Sequence, residues 1–234
     1  AGDGPVVVYV HGGGYCIGSL ESHRSMLTHL ASAVAGRVLA VDYRLAPEHP
    51  FPAALDDACA AYRWIVAGGA DPARVVVAGD SAGGGLTLAT LVALRDAGDP
   101  LPAAGVCLSP WADLTQSGAT MSEKADADPM VHAEDLGRWA AAYAGPDHDP
   151  GSPGLSPLFA DLSGLPPLLV EVGTAEVLLD DARRLSERAG VAGVDVTLFE
   201  GEDLIHVWHF FAGAVPEADE GVARVARFIG ERVG

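Results

Sequence analysis

Six short runs of apolar, mostly β-branched residues punctuate the chain, at 5–10, 37–43, 74–79, 103–109, 167–172 and 194–199. They are continuous rather than alternating, the pattern of strands covered on both faces. Between them lie stretches whose apolar residues recur at helical spacing, at about 23–35, 53–67, 82–97, 181–192 and 217–231. Strand–helix alternation predicts parallel strands joined by right-handed crossovers. The fold class is therefore α/β, a mostly parallel central sheet with helices on both faces.

One gap breaks the rhythm. More than fifty residues, rich in Asp, Pro, Gly and Ser, separate the run ending at Ser109 from the one starting near Pro167, with a short helical piece near 134–143. A stretch that long inside a compact domain usually has a function. It reads as an excursion over the top of the sheet, with a decorated surface loop as the plainer alternative. The organisation expected is a core of residues 1–111 and 160–234 with a small cap inserted at 112–159. Trp111, Met121, Met130 and Leu136 are candidate apolar wall residues for a pocket beneath it. The chain opens Ala1-Gly-Asp-Gly-Pro directly before a run that reads as a central strand, so a preceding segment is expected.

The chain's 234 residues fit one sizeable domain. Fourteen Lys and Arg stand against 32 Asp and Glu, a net charge of −18. Such a surface repels phosphate backbones and anionic lipid heads, which argues against nucleic-acid or membrane partners. With 49% hydrophobic and 20% charged residues the chain is not disordered, and no apolar run has the length of a membrane span. Cys16, Cys59 and Cys107 are far apart with no CxxC, so neither a disulfide framework nor a zinc site is expected. That usage points to a reducing compartment, the cytoplasm.

The strongest chemical signal is Gly79-Asp80-Ser81-Ala82-Gly83, between the run at 74–79 and the stretch at 82–97. This is the strand–turn–helix setting of a G-x-S-x-G nucleophile elbow. The turn lifts the Ser81 hydroxyl above the sheet's C-terminal edge and aims the helix N-terminus at developing negative charge. A phosphate loop would need G-x-x-x-x-G-K-[ST], which is absent. The second signal, His11-Gly12-Gly13-Gly14, follows the first run directly. Its glycines let free amides approach a substrate carbonyl. Gly13, Gly14 and Ala82 are the expected oxyanion donors, and His11 a pin for the loop. Cys16 has no elbow around it and reads as lining or packing.

Three blocks together, His11-Gly-Gly-Gly-Tyr, Asp42-Tyr-Arg-Leu-Ala-Pro-Glu-His-Pro-Phe-Pro-Ala and Gly79-Asp-Ser-Ala-Gly-Gly, resemble the hormone-sensitive-lipase-like α/β-hydrolases and their bacterial short-chain carboxylesterases. The resemblance spans essentially the whole chain. It implies a cap built from an N-terminal segment plus the internal insertion. It also implies dimerisation through the strand and helix nearest the C-terminus, here 194–199 and 217–231.

Among eight histidines, His206 lies at a loop-to-helix entry after the last strand run and matches the family's catalytic histidine. His209, one turn further, is the alternative and reads as a packing residue. The acid departs from the family's usual Asp-Pro-Leu-x-Asp block. Laid without a gap, Glu176 falls on the catalytic aspartate and Asp180 on the second. Asp180, Asp203, and an alignment at Ala175 that leaves no acid stay open. Asp180 and Asp181 otherwise read as acids at a helix start. The order Ser81, Glu176, His206 is that of α/β-hydrolases.

The resemblance implies ester hydrolysis through an acyl-enzyme, with a small-molecule ester as substrate and no metal or cofactor. A lactone or N-acetyl hydrolase would use the same groups. The plant gibberellin receptors resemble this family but lack the catalytic histidine. His206 is present here, which argues against a binding-only role.

Overall fold

The structure, a computed structural model, describes residues 4–233. Residues 1–3, where the chain opens, lie outside the described residues. Six strands form one all-parallel sheet: β1 (Val6–Val10), β2 (Arg37–Val41), β3 (Val75–Asp80), β4 (Ala104–Leu108), β5 (Leu168–Gly173) and β6 (Val196–Gly201). Their order is β2-β1-β3-β4-β5-β6. Every residue of β1, β3, β4 and β5 is buried, as their unbroken apolar runs require.

Alternate side chains feed two layers. Val6, Val8, Val75 and Val77 pack against α2 (Ala53–Ala67), α3 (Ala82–Ala97) and α6 (Leu179–Val191). Val7, Tyr9, Val76 and Ala78 pack against α1 (Leu20–Ala33) and α7 (Pro216–Val233). Among the described residues no helix is long and apolar enough to cross a membrane.

A third apolar cluster lies over the C-terminal ends of β1 and β3. It joins Val10, Tyr15 and Ala82 to Trp111, Leu114, Met121, Val131, Leu136 and Tyr143. Residues 112–159 therefore pack onto that edge, through α4 (Thr120–Glu123) and α5 (Ala133–Ala144). The Tyr15 ring stacks on Tyr143 of α5 with centroids 3.7 Å apart.

Two boundaries differ from the sequence pattern for physical reasons. α1 starts before residue 23 because Ser19 caps it, in a reciprocal box with Ser22 rather than with a Glu or Gln. β6 starts at Val196, two residues later than its apolar run, because Val194 enters the core from the turn after Gly193.

The chain runs from β1 outward to β2, then returns to β3 on the other side of β1 and proceeds to β6. Strand order reverses between β1 and β3, and a doubly wound sheet opens its ligand crevice at the C-terminal ends of such a pair.

Candidate active site

The register aligns the site. Asp80 pairs with Leu108, and Leu108 with Glu171, across β3, β4 and β5. Ser81 and Ser109, each one residue past that row, therefore stand side by side at the sheet edge. Ser81 is held at φ 53°, ψ −121°, a left-handed conformation costly for any residue with a Cβ. Its amide donates to the Leu108 carbonyl at 2.8 Å, and its carbonyl accepts from Gly84 and Trp111, each at 2.9 Å. A Cβ on Gly79 or Gly83 would run into the Val10 carbonyl, so this turn demands both glycines.

The glycine loop after β1 is pinned from below. Asp80 Oδ1 accepts from the Tyr9 hydroxyl at 2.7 Å and from the Gly12 amide at 3.1 Å, and His23 Nε2 lies 3.3 Å from Oδ2. Burial alone would raise the Asp80 carboxyl. The hydrogen bonds and charge of His23, with the Tyr9 and Gly12 donors, outweigh it and hold the carboxyl below its usual range. Burial alone would lower His23, and Asp80 outweighs it and raises it. His11 is buried and its pKa is lowered by that burial. Its Nδ1 donates to the Gly12 carbonyl at 2.7 Å, and its ring stacks on Tyr43. This is the loop pin expected of it. Gly13 and Gly14, at φ 113° and 60°, have amides with no hydrogen-bond partner among the described residues. Ala82 opens α3, where the first amide has no acceptor within the helix.

His206 follows β6 and is 5% exposed; Glu176 follows β5 and is fully buried. His206 Nδ1 is 2.9 Å from Glu176 Oε2. Glu176 Oε1 accepts from the Ser109 hydroxyl at 2.7 Å and the Gly173 amide at 2.6 Å. Burial disfavours the charged imidazole, but the Glu176 carboxylate outweighs it and raises the His206 pKa.

The competing residues lie elsewhere. Asp180 Oδ2 accepts from the Thr120 amide at 3.2 Å. Asp203 is exposed, with its amide donating to Thr174. His209 is fully buried, with Nε2 3.0 Å from Glu171 Oε2, which also accepts from Arg224. The Ala175 amide donates to the Leu204 carbonyl, so that position serves the backbone. Asp181 lies in the first turn of α6, but its carboxylate does more than face the helix dipole. Oδ2 accepts from the Ala112 and Asp113 amides, each at 2.9 Å, where the insertion begins.

Ser81, His206, Gly13 and Gly14 line one pocket of about 330 Å³. Its walls are largely apolar: Ile17, Met130, Val131, Leu136, Trp139 and Phe210. Trp139 lies against Gly14 so closely that a Cβ there would enter the indole. Of the wall residues expected from the sequence, Met130 and Leu136 line the pocket. Trp111 and Met121 do not, because they pack inward in the cluster beneath the insertion. Cys16 is partly buried beside Trp139 and is not among the lining residues.

Sequence reasoning missed Ser109, His23 and Asp128. The buried Asp128 carboxylate accepts from the Val131 and Val177 amides, each at 3.0 Å, and so ties the insertion to the residue after Glu176. For Ser109 alone a signal existed: a polar residue closing an apolar strand beside the elbow strand. Among the described residues no group of three His, Cys, Asp or Glu converges as a metal site would need.

A strained serine at the switch point of a parallel sheet, beside a glycine loop and a buried histidine–carboxylate pair, defines a hydrolase architecture of the α/β type. The chain belongs to the α/β-hydrolase fold family, whose sequence profile matches residues 7–210. An acetyl-hydrolase of Streptomyces hygroscopicus is 48% identical over 232 residues, covering 99% of this chain and 77% of that protein. An esterase of Acinetobacter venetianus is 37% identical over 223 residues, covering 95% of this chain and 74% of that protein. The crystal structure of an esterase from the bacterial hormone-sensitive lipase family superposes with a TM-score of 0.98 at 54% identity, covering 100% of this chain and 78% of that one. The resemblance to that family therefore holds, and the chain is an enzyme that hydrolyses esters.

Proposed function

We propose that the protein is a serine carboxylic ester hydrolase that cleaves short-chain acyl esters through an acyl-enzyme. Ser81 is the nucleophile, His206 the general base and Glu176 the orienting acid. The amides of Gly13, Gly14 and Ala82 form the oxyanion hole. The observation that carries this reading is the 2.9 Å contact between His206 Nδ1 and Glu176 Oε2 in the pocket that holds Ser81. With Nδ1 so occupied, Nε2 is the nitrogen that serves the serine.

His206 Nε2 takes the proton from Ser81 Oγ as Oγ attacks the ester carbonyl carbon. The tetrahedral oxyanion lies against the three amides, each such donor being worth about 3 kcal/mol. As the carbonyl reforms, the bond to the alcohol oxygen breaks and the imidazolium gives that oxygen its proton. Water, deprotonated by His206, then attacks the acyl-enzyme, and Ser81 regains the proton as the acid departs.

Residues 112–159 act as the cap, since four of the apolar wall residues come from them. A pocket of about 330 Å³ with Trp139 in its wall beside Gly14 favours short acyl chains. The similarity to an acetyl-hydrolase favours acetyl as one such group, on an alcohol or an amine. A panel of p-nitrophenyl esters of increasing chain length, lactones and acetyl-amides tests the substrate. Labelling by a fluorophosphonate, compared between the wild type and Ser81→Ala, tests the nucleophile. Labelling that survives in the variant would remove Ser81 from the mechanism.

A further inference from the structure

Ser109 closes β4 and is fully buried, yet it carries a hydroxyl where the strand before it is apolar. Its backbone sits at φ 46°, and its amide donates to the Glu171 carbonyl at 2.6 Å, so β5 fixes its orientation. The hydroxyl is used twice. It donates to Glu176 Oε1 at 2.7 Å and accepts from the Val207 amide at 3.1 Å. Val207 directly follows His206 and is itself left-handed, at φ 47°. One oxygen from β4 thus joins the carboxylate after β5 to the turn after β6 that carries the imidazole.

Only a hydroxyl fills both roles here. The Val207 amide needs an acceptor and Glu176 Oε1 needs a donor, and an unpaired buried polar group is costly. The Gly173 amide also donates to Oε1. Two donors on one carboxylate oxygen leave Oε2 to face His206. Ser109 is not among the residues lining the pocket, so it does not meet substrate.

We infer that Ser109 is a positioning residue of the hydrolytic reaction: its hydroxyl holds the Glu176 carboxylate and the His206 turn in mutual register. The inference rests on the assignment of Glu176 and His206 made above. Loss of the hydroxyl lowers turnover by about tenfold to a hundredfold, the effect of one hydrogen bond to a charged group. KM stays close to the wild-type value, because Ser109 does not touch the ester. Without its donor the carboxylate attracts the imidazolium more strongly, so His206 keeps its proton to higher pH. The acidic limb of the kcat profile then moves up.

The test uses Ser109→Ala, Ser109→Gly, Glu176→Gln and the doubles with Glu176→Gln, with turnover counted per site labelled by a fluorophosphonate. Glycine suits the left-handed turn and keeps the fold testable if the alanine variant does not accumulate. The expected results are the fall in kcat, the raised acidic limb, and little further loss when either change is added to Glu176→Gln. Wild-type turnover per labelled site, an unmoved acidic limb, or the same loss repeated in the Glu176→Gln background would overturn the role of Ser109. Wild-type turnover in Glu176→Gln alone would instead overturn the assignment on which it rests.

Discussion

Glu176→Gln exchanges one carboxylate oxygen for an amide nitrogen, and its neighbours dictate which. Oε1 accepts from the Gly173 amide at 2.6 Å, a donor that cannot reverse, and from the Ser109 hydroxyl at 2.7 Å. The glutamine carbonyl must take that place, so its NH2 faces His206 Nδ1 across 2.9 Å. Nδ1 then has to accept, and the ring proton moves to Nε2. There it points toward the serine instead of leaving a lone pair for the serine proton. Catalysis requires the other tautomer, with N–H facing N–H, and forfeits the charge that stabilises the imidazolium. Loss of such an acid typically costs about four orders of magnitude in kcat, or about 5 kcal/mol.

The fold should survive, because all the hydrogen bonds can be remade as neutral ones, at about 1–2 kcal/mol. That loss should depend on pH. Glu176 raises His206 above its ordinary value of 6.5, so the stability their pairing adds is fully present below that pH. It is lost as pH rises through the folded-state pKa. The variant's deficit in urea unfolding is therefore larger at pH 5.5 than at pH 9, and its acidic kinetic limb moves down. Asp180→Asn, which weakens the contact to Thr120 and removes a charge facing Arg183 and the start of α6, should leave turnover within a few-fold of wild type. A Glu176→Gln enzyme within about tenfold of wild type, or one hurt less than Asp180→Asn, would refute the reasoning.

Three further outcomes are expected. Ser81→Gly abolishes turnover yet raises Tm by about 2–4 °C, by releasing the strain at φ 53°; an unchanged or lower melting temperature by calorimetry would count against stored strain. Trp139→Ala lengthens the pocket beside Gly14, so the ratio of kcat/KM for p-nitrophenyl octanoate over butyrate rises at least about tenfold; an unchanged ratio would place the chain-length limit elsewhere. Burial pushes Asp181 up to about 7, so the folded state holds its proton more tightly than the unfolded chain and loses stability as pH rises from about 4 to 7. Asp181→Asn should therefore gain on the wild type between pH 5 and pH 8 in urea titrations, and a constant difference would show that Asp181 does not titrate there.

The elbow and the glycine loop were legible because the chemistry demands particular residues at fixed short spacing. Gly79 and Gly83 are the only residues that fit beneath the Val10 carbonyl, so the chain must display them. His23 and Asp128 were not legible, and Ser109 showed only as a polar strand end without its role, because their partners are remote in the chain. Ser109 meets Glu176 and Val207 across separations of 67 and 98 residues, which only the sheet register brings together. The insertion misled in another way. Trp111 and Met130 are equally apolar in the sequence, but one supports the insertion and the other faces the pocket. Trp111 is fully buried and Met130 is 46% exposed, a difference that helical or strand period does not reveal.

The register also explains why the site tolerates so much local strain. Ser81, Ser109 and Val207 all adopt positive φ without being glycine, and each such residue costs about 1–3 kcal/mol. Each is tied to a neighbouring strand or to the residue that follows it. The Ser81 amide donates to Leu108, the Ser109 amide to Glu171 and the Val207 amide to the Ser109 hydroxyl. The ties run from β3 to β4, from β4 to β5, and from the turn after β6 back to β4. No single residue can relax without breaking a hydrogen bond on the adjacent strand. Parallel strands held in one register thus convert the rigidity of a buried sheet into fixed positions for the hydroxyl, the carboxylate and the imidazole. Catalysis by groups held in place before substrate arrives needs that rigidity, because a displacement of about 1 Å costs on the order of a hundredfold in rate.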